Sequence, residues 1–176
     1  MILNLDDLRL VGFWAADCAE RALPLFEAKA PTDTRPREAI AGIRVFARGE
    51  KRTAKLRVLA MGAHAAAREV GDPAAKAAAR AAGMAAAVAY THPLPTLDQA
   101  KHLLGPAVYA ALARELASHD DPKTGDDEIR WAINHSSTSV REIIRRWPAR
   151  ESVCSRLNTL YYMLDSELRE PGRKRH

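Results

Sequence analysis

Residues Ala60–Thr91 read AMGAHAAAREVGDPAAKAAARAAGMAAAVAYT, and the fold turns on them. Alanine has the highest helix propensity because it loses no side-chain freedom and buries no polar group. In the middle of the run, Gly71-Asp72-Pro73 supplies a C′ glycine, an N-cap aspartate and a first-turn proline, the order that stops one helix and starts the next. The stretch therefore reads as a helical hairpin. Helices with so few bulky side chains let others approach closely, while larger residues elsewhere must fill the surrounding core. The expected fold is all-α, a single-domain bundle of about seven or eight helices packed around this hairpin.

The residues that interrupt the alanines carry the information. Arg68 follows His64 by four residues and Arg80 follows Lys76 by four, so each pair shares a helix face. Lys76 and Arg80 read as a solvated stripe. His64 and Arg68, embedded in alanines, are open to two readings, a polar pocket lining or an ordinary helix surface.

Outward from the hairpin, Asn4 can cap a first helix with Asp7 at its third position, and Leu8, Val11, Ala15, Cys18, Ala22 and Leu25 recur at helical spacing. Pro24 falls inside that pattern and predicts a kink or restart near Leu23. The connector PTDTRP leads to a second helix whose stripe is Ile40, Ile43 and Phe46, closed by Gly49. Thr53 caps a third helix that runs into the alanines. Thr96 to Gln99 matches a capping box for a short helix stopping at Gly105-Pro106, with a new start at Val108. Ser118–Asp126 reads as the longest loop, with Asp126 as the next cap. Ser139 with Glu142 suggests a second capping box, and Val153, Leu157, Leu160, Leu164 and Leu168 form one apolar face of a last helix. The expected organisation is a helical core over 1–118, a C-terminal helical segment over 119–170 and a basic tail over 171–176.

A chain of 176 residues with net charge +5 suits one core and could suit an acidic partner or nucleic acid. Its bases are interleaved with 22 acids, however, and its few aromatics do not alternate with a basic stripe, so nucleic-acid binding is a minority reading, with Arg141, Arg145 and Arg146 as its candidate residues. Two cysteines far apart, Cys18 and Cys154, indicate neither a disulfide framework nor a cysteine zinc site. Without a membrane-length apolar run or a basic leader, the expected compartment is the cytoplasm.

No Glu-x-x-His pair, P-loop, G-x-G-x-x-G, G-x-S-x-G or H-E-x-x-H is present, which removes the commonest helical metalloenzyme pattern and gives nucleotide binding and standard hydrolysis no support. His92 and His102 flank one short helix without a third ligand, so no metal site or cofactor is expected; a structural or pocket role suits them better. The densest polar constellation is Asp17, Glu20 and Glu27 on the first helix, with Arg35 and Arg37 just beyond. These acids share a face, and the arginines can fold back on them as bidentate pairs, either as an ion-pair clamp, the favoured reading, or as a ligand site.

WAADCAERALPLFEAKAPTDTRPREAI from Trp14 to Ile40, followed by ARGE, AHAAAR and AARAAGMAAAVAYTHP, resembles a bacterial immunity-protein family with an all-helical domain. The likeness runs over roughly Trp14 to Leu116, and its motif positions are Cys18, Glu20, Pro24, Glu27, Asp33, Arg35, Pro36, Arg37, His64 and Arg68. The resemblance implies a small cytoplasmic protein that protects its producer by binding a toxin, with no catalytic residues of its own. The positive charge then calls for an acidic or neutral partner, unless the acids on the first helix supply a local negative patch. Candidate partner or ligand contacts are Asp17, Glu20, Glu27, Arg35, Arg37, His64, Arg68, His92 and His102. The alternative is a small-molecule binder or a cofactor-free acid/base enzyme, with His64 and Glu20 as proton carriers.

Overall fold

The computed structural model describes residues 3–93, 96–152 and 154–170. Among them eight α-helices follow one another: α1 (Leu5–Glu27), α2 (Arg35–Ala47), α3 (Ala54–Glu69), α4 (Pro73–Ala87), α5 (Leu97–Ala117), α6 (Pro122–Asn134), α7 (Thr138–Ile144) and α8 (Arg156–Arg169), with a 3-10 turn at Val88–Tyr90. Among the described residues there is no strand, and the all-α expectation is met.

Helix α4 is the axis. Every residue it buries is alanine except Gly83, and it packs against α1, α2, α3 and α5 at once. An alanine surface lets four neighbours approach to near backbone contact, and bulk then comes from outside: Phe26 and Leu23 from α1, Ile43 and Phe46 from α2, and Leu103 and Leu104 from α5 are all buried. Asp72 starts α4 as its side chain accepts from the Ala75 N–H at 2.9 Å, with Pro73 in the first turn. The hairpin's break differs in one detail. Val70 leaves α3 in an extended conformation (φ −77°, ψ 134°), and Gly71 has no positive φ, so the stop does not use a left-handed glycine. That device closes α2 instead, where Gly49 sits at φ 115°.

At the N-terminus, Asn4 and Asp7 form a reciprocal capping box on α1. The helix then runs unbroken through Pro24, because this proline lies on the exposed face of the last turn and forfeits only one bond, while its carbonyl accepts from the Ala28 N–H at 3.0 Å. Gly105-Pro106 likewise fails to stop a helix: α5 continues through both. Gly105 is there for packing, since a Cβ at this position would overlap the Met84 side chain where α5 crosses α4. Thr96 caps α5 through the Gln99 N–H at 3.3 Å, but the Gln99 side chain turns away to accept from the His92 N–H at 3.0 Å.

The expected long loop is shorter. Asp121 caps α6 and Pro122 begins it, leaving a tight turn in which His119 and Asp120 take φ of 58° and 59°. Asp126 is thereby inside the helix. Ser137, not Ser139, caps α7, through the Val140 N–H at 3.2 Å. On α8, Leu160, Leu164 and Leu168 are buried as the spacing predicts, whereas Val153 lies outside the described residues.

Ion pairs fasten the later helices to the earlier ones. Glu128 on α6, 6% exposed, is held by Arg21 of α1 and by Arg114 of α5 at 3.1 Å. Glu115 on α5, 5% exposed, receives Arg156 of α8 at 2.7 Å, and the same guanidinium reaches Asp126 at 2.7 Å. Arg146 reaches back to Asp7 at 2.6 Å.

Two stability predictions follow from this packing. Ala82→Leu forces an extra branched side chain into a fully buried alanine contact and is expected to lower the unfolding free energy by about 1–3 kcal/mol, read by denaturant melts. Arg156→Met strands the Glu115 carboxylate in the interior; the expected loss is about 3 kcal/mol, and a melt within error of the parent chain would show that Glu115 finds another partner.

Candidate functional site

Two polar assemblies contain most of the residues singled out by the sequence, Arg35 and Arg68 excepted. The first lies along the α1–α2 contact. These helices run antiparallel, so Glu27 meets Arg37 near one end while Asp17 and Glu20 meet Arg44 a turn or two away. Arg37 donates to both Glu27 oxygens at 2.6 and 2.8 Å, and Arg44 donates to Asp17 at 2.7 Å and to Glu20. Glu20 and Glu27 are seven apart, as are Arg37 and Arg44, so two turns on one helix face two turns on the other. Arg44 escaped the sequence reading, although its spacing from Arg37 was the available signal.

Arg35 behaves differently from Arg37. It folds onto Asp33 of the connector, at 2.9 and 2.6 Å, and bonds to Glu69 at the end of α3. The Arg35 guanidinium draws the Asp33 and Glu69 carboxyls below their ordinary range. The structure thus separates Arg35 from the helix-one acids. Arg68, on the same turn of α3 as Glu69, is exposed.

The second assembly is a cleft of about 360 Å³ between α3, the 3-10 turn and the start of α5. It gathers three of the sequence candidates, His64, His92 and His102, which lie far apart along the chain. His64 reaches the cleft because α3 crosses α4 at Gly83: a Cβ there would stand 2.9 Å from the imidazole. The ring is half-buried. Burial pushes its pKa below 6.5, and the charges of Arg68, Arg80 and His102 push in the same direction. Among the described residues no protein group hydrogen-bonds to the side chains of these three histidines, and His92 bonds only through its backbone N–H.

Sequence reasoning missed the remaining walls. Tyr90 donates its hydroxyl to the Thr53 carbonyl and stacks under Arg57, whose guanidinium carbon is 4.5 Å from the ring centroid. Thr91, 6% exposed, carries a buried hydroxyl with no hydrogen-bond partner among the described residues. A threonine before a His-Pro turn offered no spacing signal of this kind.

Glu20 does not line the cleft; it is committed to Arg44, so the proposed His64–Glu20 proton pair is not assembled. Cys18 is buried, and burial raises its thiol pKa, as do the Asp17 and Glu128 charges, which makes it a poor nucleophile. The arginines of the nucleic-acid reading are engaged in the structure: Arg141 donates to the Ile133 carbonyl at 2.8 Å, Arg145 to the Glu170 carbonyl at 2.8 Å and Arg146 to Asp7. Among the described residues no group of three or more His, Cys, Asp or Glu side chains could hold a metal ion, and no helix is long and apolar enough to cross a membrane.

A third feature is apolar. Val58 and Met61 project from α3, each 66% exposed, and Val45 of α2 is 47% exposed. Val45 lines a groove of about 470 Å³ that runs between α2 and α3 over Phe46, Leu56 and Leu59, with Lys51 and Lys55 at its rim, whereas Met61 lies on the other side of α3, at the wall of the histidine cleft.

Compared with known families, residues 2–139 match the family described as Imm-5 like putative immunity protein. The match extends beyond the Trp14–Leu116 motifs at both ends. No curated protein and no solved structure matches the chain significantly.

His64 generates a pH prediction. Its folded-state pKa is depressed, so the unfolded chain binds the proton more readily, and the associated stability is present above about 6.5 and is lost as the pH falls through the lower folded value. The unfolding free energy should fall with acidification across this range, and His64→Gln should flatten that part of the profile.

Proposed function

The chain belongs to the Imm-5 like putative immunity protein family, and on that premise we propose that it is a non-catalytic binding protein that neutralises a toxin by direct contact. The observation that carries the choice of surface is the pair of exposed apolar side chains on α3, Val58 and Met61, with Val45 exposed on the neighbouring α2. Large apolar side chains that stand two-thirds exposed on adjacent turns of one helix suit anchors for a partner better than an ordinary solvated face.

Charge chooses the kind of partner. Arg48, Lys51, Arg52, Lys55 and Arg57 are exposed around the α2–α3 turn, against Glu38 and Glu50. The helix-one acids are a weak source of an opposing negative patch, because Arg37 pairs with Glu27 and Arg44 is shared by Asp17 and Glu20, which leaves only one net negative charge there. The partner is therefore a toxin with an apolar protrusion set in an acidic rim, whose arrival the cations accelerate and whose apolar anchor sets the lifetime of the complex.

The test pairs isolation with protection. A tagged parent chain and its Val58→Asp, Met61→Asp double variant are recovered from the producing cells, and the attached proteins are weighed by native mass spectrometry. The parent should hold one protein stoichiometrically and the double variant should lose it, both chains keeping the same helical content. That protein, expressed alone, should arrest growth, with rescue by the parent and not by the double variant. A harmless partner, or one retained equally by both chains, would contradict the reading.

A further inference from the structure

We propose that the cleft between α3, the 3-10 turn and α5 is a binding site for a small organic anion, a carboxylate or phosphate ester attached to a short apolar body. This goes beyond the toxin-binding reading, and its test contains no partner protein.

Three features converge on this ligand chemistry. The cleft presents donors and no competing charge: His64, His92 and His102 on its walls, Arg57 at its edge, and no carboxylate lining it among the described residues. The nearest acid on α5, Asp98, is taken by Lys101 at 3.0 Å. Second, Thr91 lines the cleft, is 6% exposed, and its hydroxyl has no hydrogen-bond partner among the described residues; a buried polar group is costly until something bonds to it. Third, the volume of about 360 Å³ lies at the small end of the range for small-molecule pockets, and the Tyr90 ring with Ala60, Met61 and Ala87 gives an apolar surface beside the donors.

The surrounding field agrees. His64 faces Arg68 on its own helix, Arg80 on α4 and His102 on α5, all cations or groups that become cations, and these disfavour its protonated form. An anion in the cleft reverses that repulsion, so binding and protonation support each other and affinity rises as the pH is lowered between about 8 and 5. His92 is positioned through its backbone, whose N–H donates to the Gln99 side chain, which leaves its ring available to the ligand.

The experiment is an NMR titration of the full chain that follows the imidazole signals of the three histidines. Phenyl phosphate and benzoate are the probes, with inorganic phosphate and acetate as head groups lacking an apolar body. Saturable movement of the His64 and His102 signals by phenyl phosphate or benzoate is expected, stronger than with the bare head groups; whichever of the two binds more tightly identifies the ligand's acid. Thr91→Val keeps the shape of the side chain and removes the hydroxyl. It should weaken the better probe by roughly tenfold while leaving the melting temperature unchanged or higher, because the lost hydroxyl had no partner. A structural hydroxyl would give the opposite pair of results, a lower melting temperature with binding intact. His102→Gln, at an exposed position, provides a second variant that keeps the fold and should also weaken the probe. No saturable movement with any of the four compounds, or equal binding by both variants, overturns the proposal.

Discussion

The architecture depends on the smallness of one helix. With alanine at every buried position of α4 but one, the helices around it come closer than leucine-rich surfaces permit, and the favourable term is close contact among backbones and methyl groups over a long interface. Apolar bulk is displaced to the neighbours, where Phe26, Phe46, Leu103 and Leu104 wrap the axis. The same closeness explains where polar groups end up. His64 stands against Gly83, and any larger residue there would drive the imidazole out toward solvent. Its position in the cleft is a consequence of core packing.

Arginine is the second organising residue. Buried carboxylates at Glu115 and Glu128 are tolerable only because planar guanidinium groups from other helices meet them, often from two directions. The Arg21–Glu128 and Arg156–Glu115 pairs reach across helices that are not neighbours in sequence, so they specify which helices meet even where their net contribution to stability is modest. Pairing also shapes the surface. The acids of α1 are largely paired by α2, while Lys51 and Lys55 at the α2–α3 groove form no ion pair among the described residues, so positive charge is left unopposed beside that groove.

Local signals made much of this legible. The start of α4 at Asp72-Pro73, the Asn4 cap, the Ile40, Ile43 and Phe46 stripe and the Leu160 to Leu168 face each depend on residues within a few turns of one another, and each stands as its spacing indicates, although Gly71 does not take the left-handed conformation expected of the stop before it. Prolines and glycines misled wherever tertiary contact outweighed local preference. Pro106 is carried inside α5, buried next to the Gly105–Met84 crossing with α4, and Pro24 costs little in a last, exposed turn. At the candidate sites, the Glu27–Arg37 pairing was accessible from proximity in the chain. The meeting of His64 with His92 and His102, and the unpaired Thr91 hydroxyl, were not, because they arise from the crossing of α3 with α4 and the return of α5, which no single-element pattern encodes.

As the packing axis, α4 should be the most persistently folded element, and native-state hydrogen exchange reads that directly. Amides of α4 from Ala78 to Ala86 should exchange only by global unfolding, with the highest protection in the chain, while α7 and the ends of α2 open more readily. If α4 exchanges faster than α1 and α5, the alanine helix is a passenger on a framework built by its neighbours, and the account is wrong at its centre.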